Sequence, residues 1–280
     1  MEHQNEEINC RICSSNLGVL FKSLVLKKHT VSYYKCNTCG FIQTEDPYWL
    51  EEAYSNAITS LDIGLVSRNL QFSELLEKII IKNFDTTSKF IDYGGGYGLL
   101  VRLMRDKGFD FYRQDVFCEN IFAKHFDITD IPEIKKFELL TAFEVFEHLP
   151  DPLSEIEKMF SYSSAVLFST IIQPPENITS PDQWWYFVPE TGQHISFYTL
   201  ASLEIIAKKN NCFLYSDKKN LHLLTSKKLD NDPFYTETTN SLLQRIQNKI
   251  LSILIPVKKE KLMTSLLDKD FNYIKQKIRP

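Results

Sequence analysis

The sequence predicts an α/β fold with a mainly parallel sheet, and three observations support this prediction. Residues 89–228 alternate strand-like with helix-like runs, which is the pattern of a parallel sheet covered by helices on both faces. A glycine-rich turn joins the first strand of this region directly to the start of a helix. A short Asp-Lys-Lys-Asn turn joins the last two strand-like runs, so we expect these to form a hairpin.

The predicted elements follow one another along the chain. The strands are KFIDYG, FDFYRQDV, a brief FDI, ELLTAFEV, SAVLFSTII, CFLYS and LHLLTS. The helices are LLVRLMRDKG, a short one around ENIFAKHF, PLSEIEKMFSY and TLASLEIIAKKNN. An insert rich in proline and aromatic residues, PPENITSPDQWWYFVPETGQ, interrupts the alternation.

Composition limits the class of protein. The 280 residues are 43% hydrophobic and 24% charged, which suits one ordinary α/β domain and a smaller unit. The formal net charge of −4 gives no overall attraction to nucleic acid. The longest apolar run, 250–257, is interrupted by Ser252 and Pro256, so we expect no membrane span. Since the first residues are acidic and polar, unlike a secretory signal, we expect a cytoplasmic protein.

Four of the six cysteines fall into two pairs, Cys10-x2-Cys13 and Cys36-x2-Cys39. Two such knuckles present four thiolates to one tetrahedral ion, so in a reducing compartment the spacing predicts a zinc ribbon rather than disulfides. Residues 29–34 alternate and are rich in β-branched and aromatic types, which predicts a strand between the knuckles. A ribbon of this kind can bind nucleic acid, but its few scattered basic residues favour a structural role.

These features predict four consecutive regions: a zinc ribbon (1–45), a helical linker or lid (46–85), the α/β domain (86–230) and a helical tail (231–280). From residue 241 the tail has nine Lys/Arg and three Asp/Glu. Its first part also carries an apolar stripe: Leu242, Leu243, Ile246, Ile250 and Leu254. A docking or dimerisation helix explains this pattern, and contact with an anionic lipid surface or an anionic glycan is the alternative.

Residues 89–98, KFIDYGGGYG, hold an acid followed by the glycine turn. Asp92-x-Gly94-x-Gly96-x-Gly98 differs from the dinucleotide pattern G-x-G-x-x-G, because the third glycine comes one residue early and an acid precedes the turn. Glycines serve where the backbone takes positive φ or a ligand approaches closely. The stretch resembles motif I of the class I S-adenosylmethionine (SAM) methyltransferases, which have a Rossmann-like sheet. The resemblance implies that this loop wraps the methionine part of SAM and that Asp92 pairs with its amino group.

Two further acids are candidates for the same cofactor site. In sheets of this type the acid that ends the second strand accepts hydrogen bonds from ribose hydroxyls, and Asp115 closes FDFYRQD. Asp127 follows the third strand, where family members often hold a residue that contacts the adenine amino group. Capping of a following helix is the alternative role for either acid.

The segment AFEVFEHLPDP follows the fourth strand, and its form E-V-x-E-H-x-x-D-P resembles the fourth-strand motif of small-molecule methyltransferases. Ligands of open α/β sheets bind at the carboxyl ends of strands, where this motif falls. The resemblance implies that Phe143 and Glu144 line the cofactor, while Glu147 and His148 face the substrate. His148 could take a proton from a hydroxyl near neutral pH, and shaping the loop is its alternative role.

The insert and the segment after it supply a second set of candidates. The aromatic cluster Trp184–Phe187, WWYF, lies among prolines, and aromatic faces suit sugar rings or a sulfonium cation. The following GQHISFYTL resembles the H-x-S-[FY]-[FY]-[ST] segment of sugar-modifying methyltransferases. With the ribbon and the two earlier motifs, it makes the chain similar to bacterial methyltransferases with an N-terminal zinc ribbon, including deoxysugar C-methyltransferases.

The chain departs from the C-methyltransferases at one motif. They carry Tyr-His-Glu-His where this chain has Thr191, Gly192, Gln193 and His194. A carbon acid beside a ketone needs a base that this change removes, whereas O-methylation needs one oriented hydroxyl and one base. The departure therefore favours O-methylation.

The resulting hypothesis is a SAM-dependent O-methyltransferase that acts on a sugar or nucleotide sugar of surface polysaccharide or capsule biosynthesis. His194 is the first candidate for the general base and His148 the second, while Gln193 and Tyr198 are expected to orient the acceptor. The expected cofactors are SAM and structural Zn²⁺. The expected partners are a small-molecule acceptor and, through the tail, a membrane surface or a second copy of the chain.

Several alternatives stay open. The acceptor could be a phosphate or phosphoramidate group of a capsule precursor, which would need no base, or a sugar carbon. A protein that modifies or binds RNA through the ribbon is an alternative of another class, although the acidic balance argues against it. A SAM-binding scaffold without catalysis is the last.

Overall fold

The computed structural model of the protein describes residues 8–55, 61–234 and 263–277. Within these ranges the chain forms two sheets and six α-helices. The strands are β1 (Leu17–Val25), β2 (His29–Cys36), β3 (Ile42–Thr44), β4 (Lys89–Tyr93), β5 (Asp110–Gln114), β6 (Leu140–Ala142), β7 (Ala165–Ser169), β8 (Ser196–Phe197), β9 (Phe213–Ser216) and β10 (Leu221–Thr225). The helices are α1 (Leu50–Ala53), α2 (Leu65–Asn83), α3 (Leu99–Asp106), α4 (Pro152–Tyr162), α5 (Leu200–Lys209) and α6 (Leu267–Lys277).

The larger sheet has six strands in the order β5-β4-β6-β7-β10-β9. Strands β4 to β7 pair in parallel, whereas β10 pairs antiparallel with both β7 and β9. All five residues of β7 and four of five in β4 are buried, as expected for a sheet covered on both faces. The predicted Rossmann-like α/β fold and its terminal hairpin are therefore confirmed.

Three of the four helices predicted in this region, α3, α4 and α5, follow the predictions closely. Helix α4 covers the predicted PLSEIEKMFSY, because Asp151 caps it by accepting from Ser154 N and Pro152 occupies the first helical position. Helix α5 begins after Thr199, whose hydroxyl accepts from Ser202 N. In the predicted linker, 46–85, the structure places the short α1 and the long α2.

Two predicted elements are wrong. The expected helix around 119–126 is a series of turns, because the Asn120 side chain donates to Ala123 O and accepts from Ala123 N and so ties the backbone into a loop. The expected FDI strand is reduced to one bridge, between Arg113 and Asp127. The fourth strand is also shorter than predicted, since it ends at Ala142 and Glu144 takes a positive φ of 55°.

The smaller sheet contains the predicted ribbon strand and has the order β1-β2-β3-β8. Its fourth strand comes from the distant GQHISFY segment, where Ile42 pairs with Phe197 and Gln43 with Ser196. The ribbon sheet is thus completed by a part of the chain that follows the α/β strands β4 to β7.

The aromatic insert packs mostly on this smaller sheet. Trp184, Tyr186 and Phe187 are buried, and the Phe187 ring lies edge-on to Phe21 and Tyr33 at centroid distances of 5.2 and 5.6 Å. Only Trp185 of the four is exposed, at 71%. Three of the four rings predicted to face a ligand are instead part of the protein core, because the ribbon sheet offers them an apolar face.

The described part of the tail docks on α3. The Asp270 carboxylate in α6 is buried and accepts two hydrogen bonds, both of 2.8 Å, from the Arg105 guanidinium, with Arg102 at 3.0 Å. The apolar stripe predicted at 242–254 lies outside the described residues. None of the helices in the described ranges is both long and apolar enough to cross a bilayer.

Candidate active site

Two segments distant in sequence meet at the carboxyl edge of the larger sheet. They are the loop 146–149, which follows β6, and residues 193–198 around β8. Four hydrogen bonds join them: His148 Nδ1 to Gln193 O (3.0 Å), Ile195 N to Glu147 O (2.9 Å), Ser196 Oγ to Leu149 O (2.7 Å) and Tyr198 Oη to Phe146 O (3.0 Å). We call this arrangement the loop junction. It brings the EVFEHL and GQHISFY motifs together as one unit.

The loop junction sets two histidine rings against each other. The rings of His148 and His194 lie 4.9 Å apart between centroids at an angle of 83°. His194 Nδ1 lies 2.6 Å from Tyr186 O, as His148 Nδ1 lies 3.0 Å from Gln193 O. A carbonyl oxygen only accepts hydrogen bonds, so both Nδ1 atoms carry the proton and both Nε2 atoms keep a free lone pair.

Burial lowers the pKa of both histidines. The pKa of His148 falls to about 4 and that of His194 to about 3, where the neighbouring His148 adds to the effect. Both rings are therefore neutral at physiological pH. A base with so low a pKa takes up a proton weakly. Proton transfer from an acceptor hydroxyl to either free ring would therefore have little driving force.

Glu147 lies beside the two histidines and is fully buried. Among the described residues no well-aligned hydrogen bond reaches either of its carboxylate oxygens, and the Tyr186 hydroxyl, which also lacks such a bond, lies close enough to lower its pKa. Burial raises its pKa well above the ordinary value, and the nearby Glu144 raises it further. One ligand atom of Glu147, one of His148 and one of His194 all lie within 4.8 Å of one another.

Gln193 and Tyr198, the two residues predicted to orient the acceptor, both donate hydrogen bonds to backbone carbonyls of the protein. Gln193 donates from Nε2 to Ala53 O at 3.0 Å and is 8% exposed. Tyr198 has no exposed surface, and its hydroxyl donates to Phe146 O within the loop junction. Tyr198 is therefore a support of the loop rather than a residue that touches an acceptor in this conformation.

The glycine turn after β4 lies at the same edge of the sheet. Gly94, Gly96 and Gly98 all take positive φ, of 66°, 53° and 85°. A Cβ at Gly94 would lie 2.7 Å from Val145 Cγ2, and one at Gly98 would lie 2.6 Å from Asn120 Oδ1. A Cβ at Gly96 would meet nothing within 4 Å, so the turn is open to a ligand at this position.

The three predicted acids differ in what they can still bind. Asp92 is buried and accepts from Thr141 Oγ1 at 2.7 Å, and burial raises its pKa to about 7. Asp115 accepts from three backbone amides, one of them Gly96 N at 2.9 Å. A carboxylate has about four acceptor positions, so one remains for a ligand hydroxyl. Asp127 pairs with Arg113 at 3.1 Å and accepts from Asn120, which makes it a structural anchor of this edge.

Helix α2 covers the end of β6 and contributes residues that the sequence patterns did not indicate. Phe72 stacks on Phe143 with ring centroids 4.2 Å apart. Glu144 accepts from Ser169 Oγ at 2.8 Å, and Arg68 Nε lies 3.4 Å from its other oxygen. The apolar period of α2 indicates a packed helix, but nothing in the sequence says which strand end it covers.

These groups fit SAM, the cofactor that the motif resemblance implies. Its ammonium needs a buried acid, which Asp92 provides, and its ribose needs an acceptor, which Asp115 retains. The open space at Gly96 lets a ligand approach the backbone closely. Phe143 follows β6 at the same edge of the sheet, where its ring and the stacked ring of Phe72 offer apolar surface.

The four predicted metal ligands of the ribbon form one compact cluster. The Sγ distances are 3.7 Å from Cys10 to Cys39, 3.4 Å from Cys13 to Cys36 and 3.6 Å from Cys13 to Cys39. A tetrahedral zinc with bonds of about 2.3 Å separates its sulfurs by roughly 3.8 Å, so the cluster could hold such an ion. The amide of Ile12 points at Cys10 Sγ and helps to hold the knuckle.

Comparison with known proteins gives a family and several similar folds. A family described as "Methyltransferase domain" matches residues 67–216, more than half of the chain. None of the curated proteins matches.

Solved structures with similar folds include three methyltransferases. CalO1, a methyltransferase in calicheamicin biosynthesis, is 15% identical over 65% of this chain and 60% of its own, with a TM-score of 0.40. NcsB1, an O-methyltransferase from neocarzinostatin biosynthesis, is 12% identical over 64% and 61%, also at 0.40. An O-methyltransferase family 2 protein from Planctomyces limnophilus is 10% identical over 62% and 64%, at 0.44. The chain thus spans about 60% of the length of CalO1 and of NcsB1.

The family match covers the glycine turn, the acids at the strand ends, the EVFEHL motif and the GQHISFY segment. The chain therefore belongs to the methyltransferase domain family.

Proposed function

We propose that the protein transfers the methyl group of SAM to a hydroxyl oxygen of a small acceptor, with a sugar or nucleotide sugar of surface polysaccharide biosynthesis as the first candidate. The observation that carries this proposal is the loop junction, which sets His148 and His194 ring to ring. It does so after β6, next to the strand that leads into the glycine turn. Acceptor and cofactor would then meet at one edge of the sheet.

SAM supplies a methyl group that its sulfonium already activates, so the protein has mainly to align the reactants. Asp92 would bind the ammonium, and Asp115 would accept from a ribose hydroxyl. The free Nε2 lone pairs of His148 and His194 would accept a hydrogen bond from the acceptor hydroxyl and aim its oxygen. Phe72, stacked on Phe143, would help to exclude water.

Two observations bear on the acceptor: the first favours a sugar, and the second favours oxygen as the atom that is methylated. The exposed Trp185 ring beside the buried Tyr186 gives a sugar an aromatic face to pack on. Thr191 and Gly192 supply none of the acid–base groups that a carbon acid needs, which favours oxygen over carbon as the methyl acceptor.

We also propose that the cysteine cluster holds a structural Zn²⁺. The four sulfurs satisfy the geometry of a closed tetrahedral site. Such an ion would hold the two knuckles at one end of the β1-β2-β3-β8 sheet and so keep β8 in position.

The test has two stages. Titration of the protein with S-adenosylhomocysteine, followed by calorimetry, should give one saturable site, and failure to bind would contradict the proposal at its root. Labelled SAM is then incubated with a panel of nucleotide sugars and with RNA, and NMR of any product places the methyl group. Transfer to a sugar hydroxyl is expected, whereas transfer only to RNA, to a carbon atom or to a phosphate oxygen would overturn the acceptor class.

A further inference from the structure

We propose that Glu147, His148 and His194 form a second metal site, distinct from the cysteine cluster, which binds one divalent ion of the zinc type. The three residues lie at the loop junction, and their ligand atoms are within 4.8 Å of one another. Two imidazoles and one carboxylate are the donors found in catalytic zinc sites that keep a fourth position open.

The first support is the protonation state of the two rings. Each Nδ1 faces a backbone carbonyl, Gln193 O for His148 and Tyr186 O for His194. These contacts require Nδ1–H, so each Nε2 keeps a lone pair with which it could bind an ion. Metal-binding histidines commonly donate their other N–H to a carbonyl in this way, which fixes both the tautomer and the ring orientation.

The second support is the Glu147 carboxyl. It is fully buried, and among the described residues no well-aligned hydrogen bond reaches either oxygen. A buried polar group without such a bond is rare and requires an explanation, such as an ion. Its neighbour Glu144 adds negative potential, which the Arg68 guanidinium 3.4 Å from Glu144 partly offsets.

The third support is the spacing. An ion bound at about 2.0–2.1 Å by nitrogen and oxygen ligands separates them by roughly 3.4 Å when it is tetrahedral. The three ligand atoms, at no more than 4.8 Å from one another, would need only small side-chain rotations to reach this distance. The main chain already holds them, because Glu147 O accepts from Ile195 N across the loop junction.

The role of this ion rests on the proposed function. An acceptor hydroxyl bound at the open position would have a lower pKa and would release its proton to solvent. An electron pair of its oxygen would form the new bond to the methyl carbon. The C–S bond would break with its electron pair returning to sulfur, which leaves S-adenosylhomocysteine. Both histidines would then act through the ion instead of as free bases.

The test is a metal count with Co²⁺ as the probe. Protein freed of metal under reducing conditions is titrated with Co²⁺ and followed by absorbance and by elemental analysis. The cysteine cluster should give an intense thiolate-to-cobalt charge-transfer band with the first equivalent. A second equivalent should add only weak visible bands, because its ligands include no sulfur. A wild-type protein that saturates at one equivalent would overturn the proposal, and this outcome needs no variant.

Glu147→Gln should remove the second equivalent and leave the charge-transfer band of the first, which also reports that the fold is intact. His29→Ala is the matched control, because His29 pairs with Glu52 and belongs to neither candidate site, so this variant should keep two equivalents. Loss of a cobalt equivalent in the control would count against the assignment.

S-adenosylhomocysteine binding, measured on the same samples, distinguishes the two proposals. A second ion without cofactor binding would support the metal site and overturn the proposed function. Cofactor binding with a single bound ion would support the cofactor site of the proposed function and overturn the second metal site.

Discussion

The two groups of candidate metal ligands differ in how completely they would surround an ion. The cysteine cluster offers four equivalent sulfurs, so an ion there is fully surrounded by protein. The group Glu147, His148 and His194 offers three ligands of two kinds, one fewer than a tetrahedral ion binds. We therefore expect an ion at the ribbon end to stabilise the fold and an ion at the loop junction to bind a reactant.

The two groups also differ in what holds them in place. The cysteines are fixed locally, since the amides of Thr38 and Cys39 both point at Cys36 Sγ at 3.4 Å. His148 is fixed by the distant Gln193 O, whereas His194 is held by Tyr186 O, eight residues before it, and meets His148 through the loop junction. A change in one group therefore acts on the fold, whereas a change in the other should act on turnover.

The largest effect is expected from Cys36→Ser. Loss of one ligand opens the metal site, and the free energy of unfolding should fall by more than about 4 kcal/mol. Release of zinc to a chromogenic chelator, together with thermal unfolding, measures this. Cys212→Ser is the control, because that thiol lies outside the cluster. A Cys36→Ser protein of wild-type stability would mean that the cluster contributes little to the fold.

A smaller but diagnostic effect is expected from His148→Ala and His194→Ala. As ligands of one ion, the two should lower kcat by the same factor, about 10²–10⁴, with S-adenosylhomocysteine affinity unchanged. Steady-state rates and calorimetry on both variants check this. A large loss in one variant and a slight loss in the other would instead indicate a single general base.

The cofactor site should respond to pH without any metal, which distinguishes it from both candidate metal sites. Burial raises the pKa of Asp92 to about 7, so this carboxyl is protonated in part of the free protein below neutral pH. SAM binding needs the ionised form. Affinity should therefore fall as pH falls through 7, by about tenfold between pH 8 and pH 6. Calorimetry across this range should show the slope in the wild type and a flat, weaker profile in Asp92→Asn.

The smallest effect is expected from Tyr198→Phe. It removes the hydrogen bond to Phe146 O and should lower the free energy of unfolding by about 1 kcal/mol. The KM for the acceptor should stay unchanged, because this hydroxyl is buried in the loop junction. Tyr48→Phe, at an exposed ring, is the control for stability. A rise in KM without loss of stability would indicate that the Tyr198 hydroxyl contacts the acceptor after all.

Features with local causes could be predicted from the sequence. The β4–turn–α3 unit follows from an apolar run and three glycines that need positive φ. Helix α4 follows from Asp151 and Pro152 at its start. The compact packing of the cysteines likewise follows from the spacing of the two knuckles.

Features that depend on distant partners could not be predicted. No local pattern says that Phe197 will pair with Ile42, or that His194 will lie against His148. The burial of Tyr186 and Phe187 depends on the apolar face of the ribbon sheet, which the insert does not reveal. The turns at 119–126 replaced a helix because one side chain, Asn120, competed successfully for the backbone.

The late position of β8 in the sequence affects how the ribbon sheet folds during synthesis. The ribosome delivers all four cysteines and strands β1 to β3 early, but Phe197, the partner of Ile42, emerges only after most of the α/β domain. Until then β3 has an unpaired edge, which is a hazard for a nascent chain. An ion bound early by the knuckles would hold this edge in a defined shape until its last strand arrives.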